Sequence, residues 1–130
     1  MTLMKRFGLP ALFLIGVALV AGTSAPAMGQ NIPLVPAGEP NASGKVQVKF
    51  YPSKHYFEAK VVCQGLTPGA RYEAFAYLQE SGRQPIVASL GGFVANQRGN
   101  GQSDGGRFDF VANFFGVVRG DGVLVLWARP

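Results

Sequence analysis

From Gly44 onward the apolar residues of this chain recur at every second position, and that spacing points to a β fold. Val46, Val48 and Phe50 alternate with Lys45, Gln47 and Lys49. Phe57, Ala59, Val61 and Cys63 alternate with Tyr56, Glu58, Lys60 and Val62, and Tyr72, Ala74, Ala76 and Leu78 with Glu73, Phe75 and Tyr77. Two short apolar pieces, 86–90 and 93–95, are broken by Gly91-Gly92. Phe108, Phe110, Ala112 and Phe114 alternate with Asp109, Val111, Asn113 and Phe115, and Val117-Val118 and 123–127 close the chain. Successive strand side chains face opposite ways, so each run offers one apolar face to a core. About seven strands are predicted, at the spacing of an all-β sandwich or barrel. No stretch after Gly44 carries an apolar stripe at helical spacing.

Turn residues sit between these runs. Pro52-Ser53-Lys54-His55, Thr67-Pro68-Gly69 and Glu80-Ser81-Gly82 each separate two of them. Asp121-Gly122 between apolar runs is a strong hairpin signal. The preceding stretch, 30–44, contains Pro33, Pro36, Gly38, Pro40 and Gly44 and reads as an extended, semi-rigid leader outside the domain at 45–130.

Residues 1–29 read as a secretory signal peptide. Lys5 and Arg6 precede an apolar run from Leu9 to Ala21, and Ala25-Pro26-Ala27 supplies small residues for cleavage after Ala27 or Gly29. The run falls short of the roughly 20 apolar residues of a spanning helix, so no stable membrane span is expected after cleavage. An uncleaved anchor is the alternative at this point. The expected compartment is therefore periplasmic or extracellular. Removing Lys5 and Arg6 leaves ten basic residues against seven acidic, a net charge of about +3 on roughly 100 residues, the size of one domain. The basic residues are scattered rather than adjacent, which argues against nucleic acid as partner. Cys63 is the only cysteine, so no intramolecular disulfide can form. Its place beside Phe57, Ala59 and Val61 predicts a buried, inert thiol, with an intermolecular disulfide as the alternative.

Leu66-Thr67-Pro68-Gly69-Ala70-Arg71-Tyr72 resembles the tyrosine corner of immunoglobulin-like, fibronectin type III-like Greek-key sandwiches. The resemblance covers about 20 residues. It implies a small Greek-key β-sandwich with a structural corner at Leu66, Pro68, Gly69 and Tyr72. The Tyr72 hydroxyl would reach back to a backbone group near Leu66, and Leu66 would plug the core.

Chemistry-bearing residues are sparse. One histidine, His55, and one cysteine cannot build a copper site, or a three-ligand zinc site without carboxylates. The stretch 98–107 begins a G-x-G-x-x-G pattern at Gly99 and Gly101, but position 104 is Asp and no helix pattern follows. It reads as a flexible hairpin loop, and Asp104 alone is little charge for calcium. Arg119-Gly120-Asp121 spells an adhesion tripeptide, but its Gly-Asp-Gly run already has a turn to make. Phe75, Tyr77, Val111 and Phe115 fall opposite their core partners, so something covers the second face. The expectation is a secreted, non-catalytic protein with no catalytic or metal residues and no cofactor. It would bind an envelope or extracellular protein, or a glycan, through Phe75, Tyr77 and Phe115, and a homo-oligomer is compatible with that. A carbohydrate-binding module and a small secreted hydrolase using His55 are the alternatives. A small outer-membrane barrel has too few residues for eight spanning strands.

Overall fold

A computed structural model describes residues 28–130. The signal-peptide expectation falls on residues 1–27, outside the described residues, and on Met28 and Gly29. The described residues form nine strands: β1 (Met28–Pro36), β2 (Ser43–Tyr51), β3 (Tyr56–Gln64), β4 (Arg71–Leu78), β5 (Ile86–Val94), β6 (Gly101–Gln102), β7 (Gly106–Phe108), β8 (Phe114–Arg119) and β9 (Leu124–Ala128). No helix occurs among the described residues. The strands make one antiparallel sheet in the order β5-β4-β8-β9-β1-β2-β3-β6, with β7 also on β3. The sheet nearly closes on itself. The Gly105 N–H donates to the Leu90 carbonyl at 2.9 Å, and a Cβ on Gly106 would collide with the Ser89 carbonyl oxygen. Glycine at 106 is what lets β7 approach β5 this closely.

Nine strands replace the expected seven for three local reasons. First, the stretch expected to be a leader is a strand. Residues 28–34 of β1 pair with β2, and Val35 and Pro36 pair with β9. Pro33 is tolerated because that part of β1 is paired on one side only, where a missing N–H is harmless. Second, the expected flexible loop at 98–107 supplies β6 and β7, both paired to β3. Buried Ser103 between them gives its N–H to the Val61 carbonyl and takes the Val61 N–H on Oγ, both at 3.0 Å. Third, Gly91-Gly92 does not break a strand. It lies in an irregularity of β5, opposite the step from Glu73 to Phe75.

The expected strand over 108–114 does not form as one piece. The chain leaves β3 at Phe108 and joins β4 at Phe114, so 109–113 must cross between ladders. Asn113 anchors that crossing. Its amide donates to the Gln79 carbonyl at 2.7 Å and accepts the Gln79 N–H at 3.0 Å.

The inside of the sheet is filled from every strand except short β6, by Ile32, Leu34, Val46, Val48, Ala59, Val61, Cys63, Tyr72, Ala74, Ala76, Leu90, Phe108, Phe115, Val117, Val125, Leu126 and Ala128. Phe57 and Phe108 stack at 5.2 Å between centroids, and Phe115 meets Phe108 edge-on at 6.3 Å. Three polypeptide connections meet at one end: 37–42, 65–70 and the β8–β9 hairpin.

Candidate functional site

The outside of β4, β8 and β9 carries a row of aromatic rings. Tyr77 pairs across the ladder with Phe114, and Phe75 with Gly116, while Trp127 of β9 pairs with Gly116 on the other side. Ring centroids run 6.0 Å from Phe75 to Tyr77, 5.4 Å from Tyr77 to Phe114 and 6.0 Å from Phe114 to Trp127. Gly116 is buried beneath them, because Phe114, Tyr77 and Leu124 close over the space a Cβ would take. The rings are half-buried and packed against one another. Exposed Val35 continues the apolar surface next to Trp127, and exposed Val87 continues it next to Tyr77. Burial, with Glu73 adding to it, pushes the Tyr77 phenol upward, so it stays neutral.

Of the three ring residues expected on this face, Phe75 and Tyr77 lie on it and Phe115 does not. Phe115 is 2% exposed, in the core, opposite Ala76. The crossing at 109–113 resets the alternation, so the outward ring of β8 is Phe114. Val111 stands 73% exposed in that crossing, away from the ladder. Phe114 and Trp127 are the two rings of this face that the sequence pattern does not reveal. A register shift between Leu124 and Leu126 turns both Val125 and Leu126 inward and Trp127 outward. A run apolar on both faces gives no sign of such a bulge.

Across the closed sheet, the outside of β2 and β3 is polar and basic. Lys45, Gln47 and Lys49 of β2 stand opposite Val62, Lys60 and Glu58 of β3, and Arg107 of β7 stands opposite Glu58. Gln47, Lys49, Glu58, Ala59 and Lys60, with residues 104–107 as a wall, line an open groove of about 430 Å³, and Lys45 and Val62 lie outside its lining. Arg107 is held by Glu58 at 3.3 Å and lies over the Tyr56 ring at 4.8 Å. The Tyr51 hydroxyl donates to the other Glu58 oxygen at 3.0 Å.

The third polar feature is buried Glu39, in the β1–β2 connection. It accepts from the Tyr72 hydroxyl (2.8 Å), the Thr67 N–H (3.0 Å), the Thr67 hydroxyl (3.1 Å) and an Arg119 guanidinium nitrogen (2.9 Å). Burial pushes its carboxyl up, but these hydrogen bonds outweigh that and hold it below the usual value. The Tyr72 oxygen in turn accepts the Thr67 N–H at 3.0 Å. Leu66 is buried, while Pro68 and Gly69 are exposed in the same connection. No sequence spacing reveals Glu39, since its partners lie 28, 33 and 80 residues away. The cluster also answers the adhesion tripeptide. Arg119 Nε and a terminal nitrogen bind Asp121 at 3.0 Å each, and the other terminal nitrogen binds Glu39. Both charged ends of the tripeptide are thus engaged within the chain.

His55 is exposed in the β2–β3 turn at φ 58°, a left-handed position that histidine tolerates. Cys63 is a free, buried cysteine whose thiol burial pushes up to about 12. Among the described residues, no group of three or more His, Cys, Asp or Glu stands together to hold a metal ion, and no helix is long and apolar enough to cross a membrane. Compared with known proteins, the chain matches no family model, no curated protein and no solved structure.

Proposed function

We propose that this chain is a secreted, non-catalytic binding protein of the cell envelope or extracellular space, whose protein partner docks on the aromatic outer face. The observation that supports this is the row Phe75, Tyr77, Phe114 and Trp127, spread over three neighbouring strands and left half-open. Rings held side by side offer large apolar area with little conformational entropy to lose, the quality of an interface centre. Exposed Val35 and Val87 extend the patch on either side. The reading keeps Tyr72, Leu66, Pro68 and Gly69 as fold residues. The Tyr72–Thr67 bond and the crossover from β3 to β4 support an immunoglobulin-like Greek-key arrangement. The secretory character of residues 1–29 supports the compartment.

Site-specific photo-crosslinking tests this in the producing cell. A benzophenone side chain placed at Tyr77 or Phe114 is expected to give one discrete protein adduct, and its mass distinguishes a second copy of this chain from another protein. The same group at Ser53, in the β2–β3 turn, is expected to give none. Adduct patterns identical at all three positions, or no adduct at 77 and 114, overturn the proposal.

A further inference from the structure

We infer that the groove on the outside of β2 and β3 binds an acidic polysaccharide, at a site separate from the aromatic face. The charge of the described residues is sorted by type. Every ion pair among them uses arginine: Arg83–Glu80, Arg107–Glu58, Arg119–Glu39 and Arg119–Asp121. All four lysines after residue 27 lie instead on the β2–β3 hairpin, at 45, 49, 54 and 60, and none makes an ion pair among the described residues. Arg71, Arg98 and Arg129 also make no ion pair among the described residues, but they stand in three separate parts of the chain, whereas the four lysines share one hairpin, where together they attract anions.

The geometry gives that charge a direction. Lys45 and Lys49 are four residues apart on one strand, about 14 Å along it. Lys60 comes from β3, opposite Gln47, between them. Lys49 and Lys60 line the groove and Lys45 continues the same face beyond it, so the three ammonium groups suit an extended ligand rather than an enclosed small one. The groove is open and its lining runs from Gln47 and Lys60 to Arg107.

The rest of the lining separates a sugar polymer from a bare polyanion. Glu58 faces the groove, but its two oxygens are taken by Tyr51 and Arg107, so it does not neutralise the lysines. Asp104 lines the wall without an ion pair among the described residues. A carboxylate repels any polyanion, but on a sugar polymer that repulsion is offset by hydrogen bonds it accepts from hydroxyl groups, which a phosphate chain lacks. The Gln47 amide both donates and accepts. Ammonium groups for carboxylates, with a carboxylate and an amide for hydroxyls, match a uronic-acid polymer.

The test measures binding of residues 28–130 to polygalacturonate, with dextran and long-chain polyphosphate as comparisons, in 50 mM and 300 mM NaCl. The inference expects binding to polygalacturonate but not to dextran, weakened at least fivefold at the higher salt. It expects a tenfold or greater loss in Lys49→Gln/Lys60→Gln and a several-fold loss in Asp104→Asn. Tyr77→Ala is expected to leave this binding unchanged, which separates the groove from the aromatic face. Thermal melts show that the variants are folded, since none of these side chains enters the core. Three results overturn the inference: no binding to polygalacturonate, binding unaffected by the double lysine change, or polyphosphate preferred with Asp104→Asn strengthening the interaction.

Discussion

Removing the Glu39 carboxylate is expected to loosen the end of the sheet where three connections meet. In Glu39→Ala the Tyr72 hydroxyl, on a side chain 1% exposed, loses its acceptor. An unsatisfied buried donor costs about 1–3 kcal/mol. The Thr67 N–H keeps the Tyr72 oxygen, and the exposed Thr67 hydroxyl turns to water, so these add little. Arg119 keeps both bonds to Asp121 and is left out of the sum. The expected loss is about 2 kcal/mol, or a fall in Tm of about 8–16 °C for a domain of this size. Tyr72→Phe is expected to cost about 1 kcal/mol, because the carboxylate retains its other donors. The double variant should then cost less than the sum, with a coupling of about 1 kcal/mol. Urea unfolding at pH 7 and pH 3 adds a second reading. The folded carboxyl titrates below its usual 4.5, so its stabilisation is complete above that pH and fades as pH falls through the lowered value. The gap between wild type and Glu39→Ala should therefore narrow at pH 3. A loss under 0.5 kcal/mol at pH 7, or strictly additive costs for Glu39 and Tyr72, refutes the account.

Three further outcomes follow from the fold. Phe115→Ala should cost about 3–5 kcal/mol and Phe114→Ala about 1 kcal/mol by urea unfolding, and equal costs would place both rings on one face. Cys63 should resist a thiol reagent at pH 8 in the folded protein and react fully in denaturant, because burial holds the thiol near 12; rapid stoichiometric labelling of the native chain contradicts this. On the proposal that residues 1–27 are removed as a signal peptide, amino-terminal sequencing of the mature protein should begin at Met28. Cleavage after Gly29 would remove the two residues of β1 that pair with Phe50 and Lys49, and a start at Gln30 would show that this pairing is dispensable.

The alternation after Gly44 carries the all-β class, because a sheet with one face inside writes period two into each strand. It also identified most of the core, including Val46, Val48, Ala59, Val61, Cys63, Ala74 and Ala76. It failed where tertiary pairing overrides local pattern. Prolines at 33 and 36 hide β1, whose partners lie on two different strands. The glycines of 98–107 hide β6 and β7, which exist because β3 needs a partner. The aromatic face was half legible. Phe75 and Tyr77 follow from their own strand, whereas Phe114 and Trp127 depend on a crossing and a register shift that no periodicity records. Glu39 and its partners, and the lysines and the 104–107 wall of their groove, are distant in the chain, and only the nearly closed sheet brings them together.

The pairing of β1 with β9 has a consequence for how the molecule comes into being. Among the described residues the first and last strands are neighbours, so a fragment that stops before β9 leaves the sheet incomplete. A chain still being synthesised or threaded through a membrane keeps both seams open until Leu124–Ala128 arrives. Such long-range closure slows folding. It also means that premature termination before β9 leaves β1 and β8 with bare backbone edges, the kind of surface on which other strands add. Among the described residues, the seam between β8 and β1 is bridged only once Leu124–Ala128 is in place.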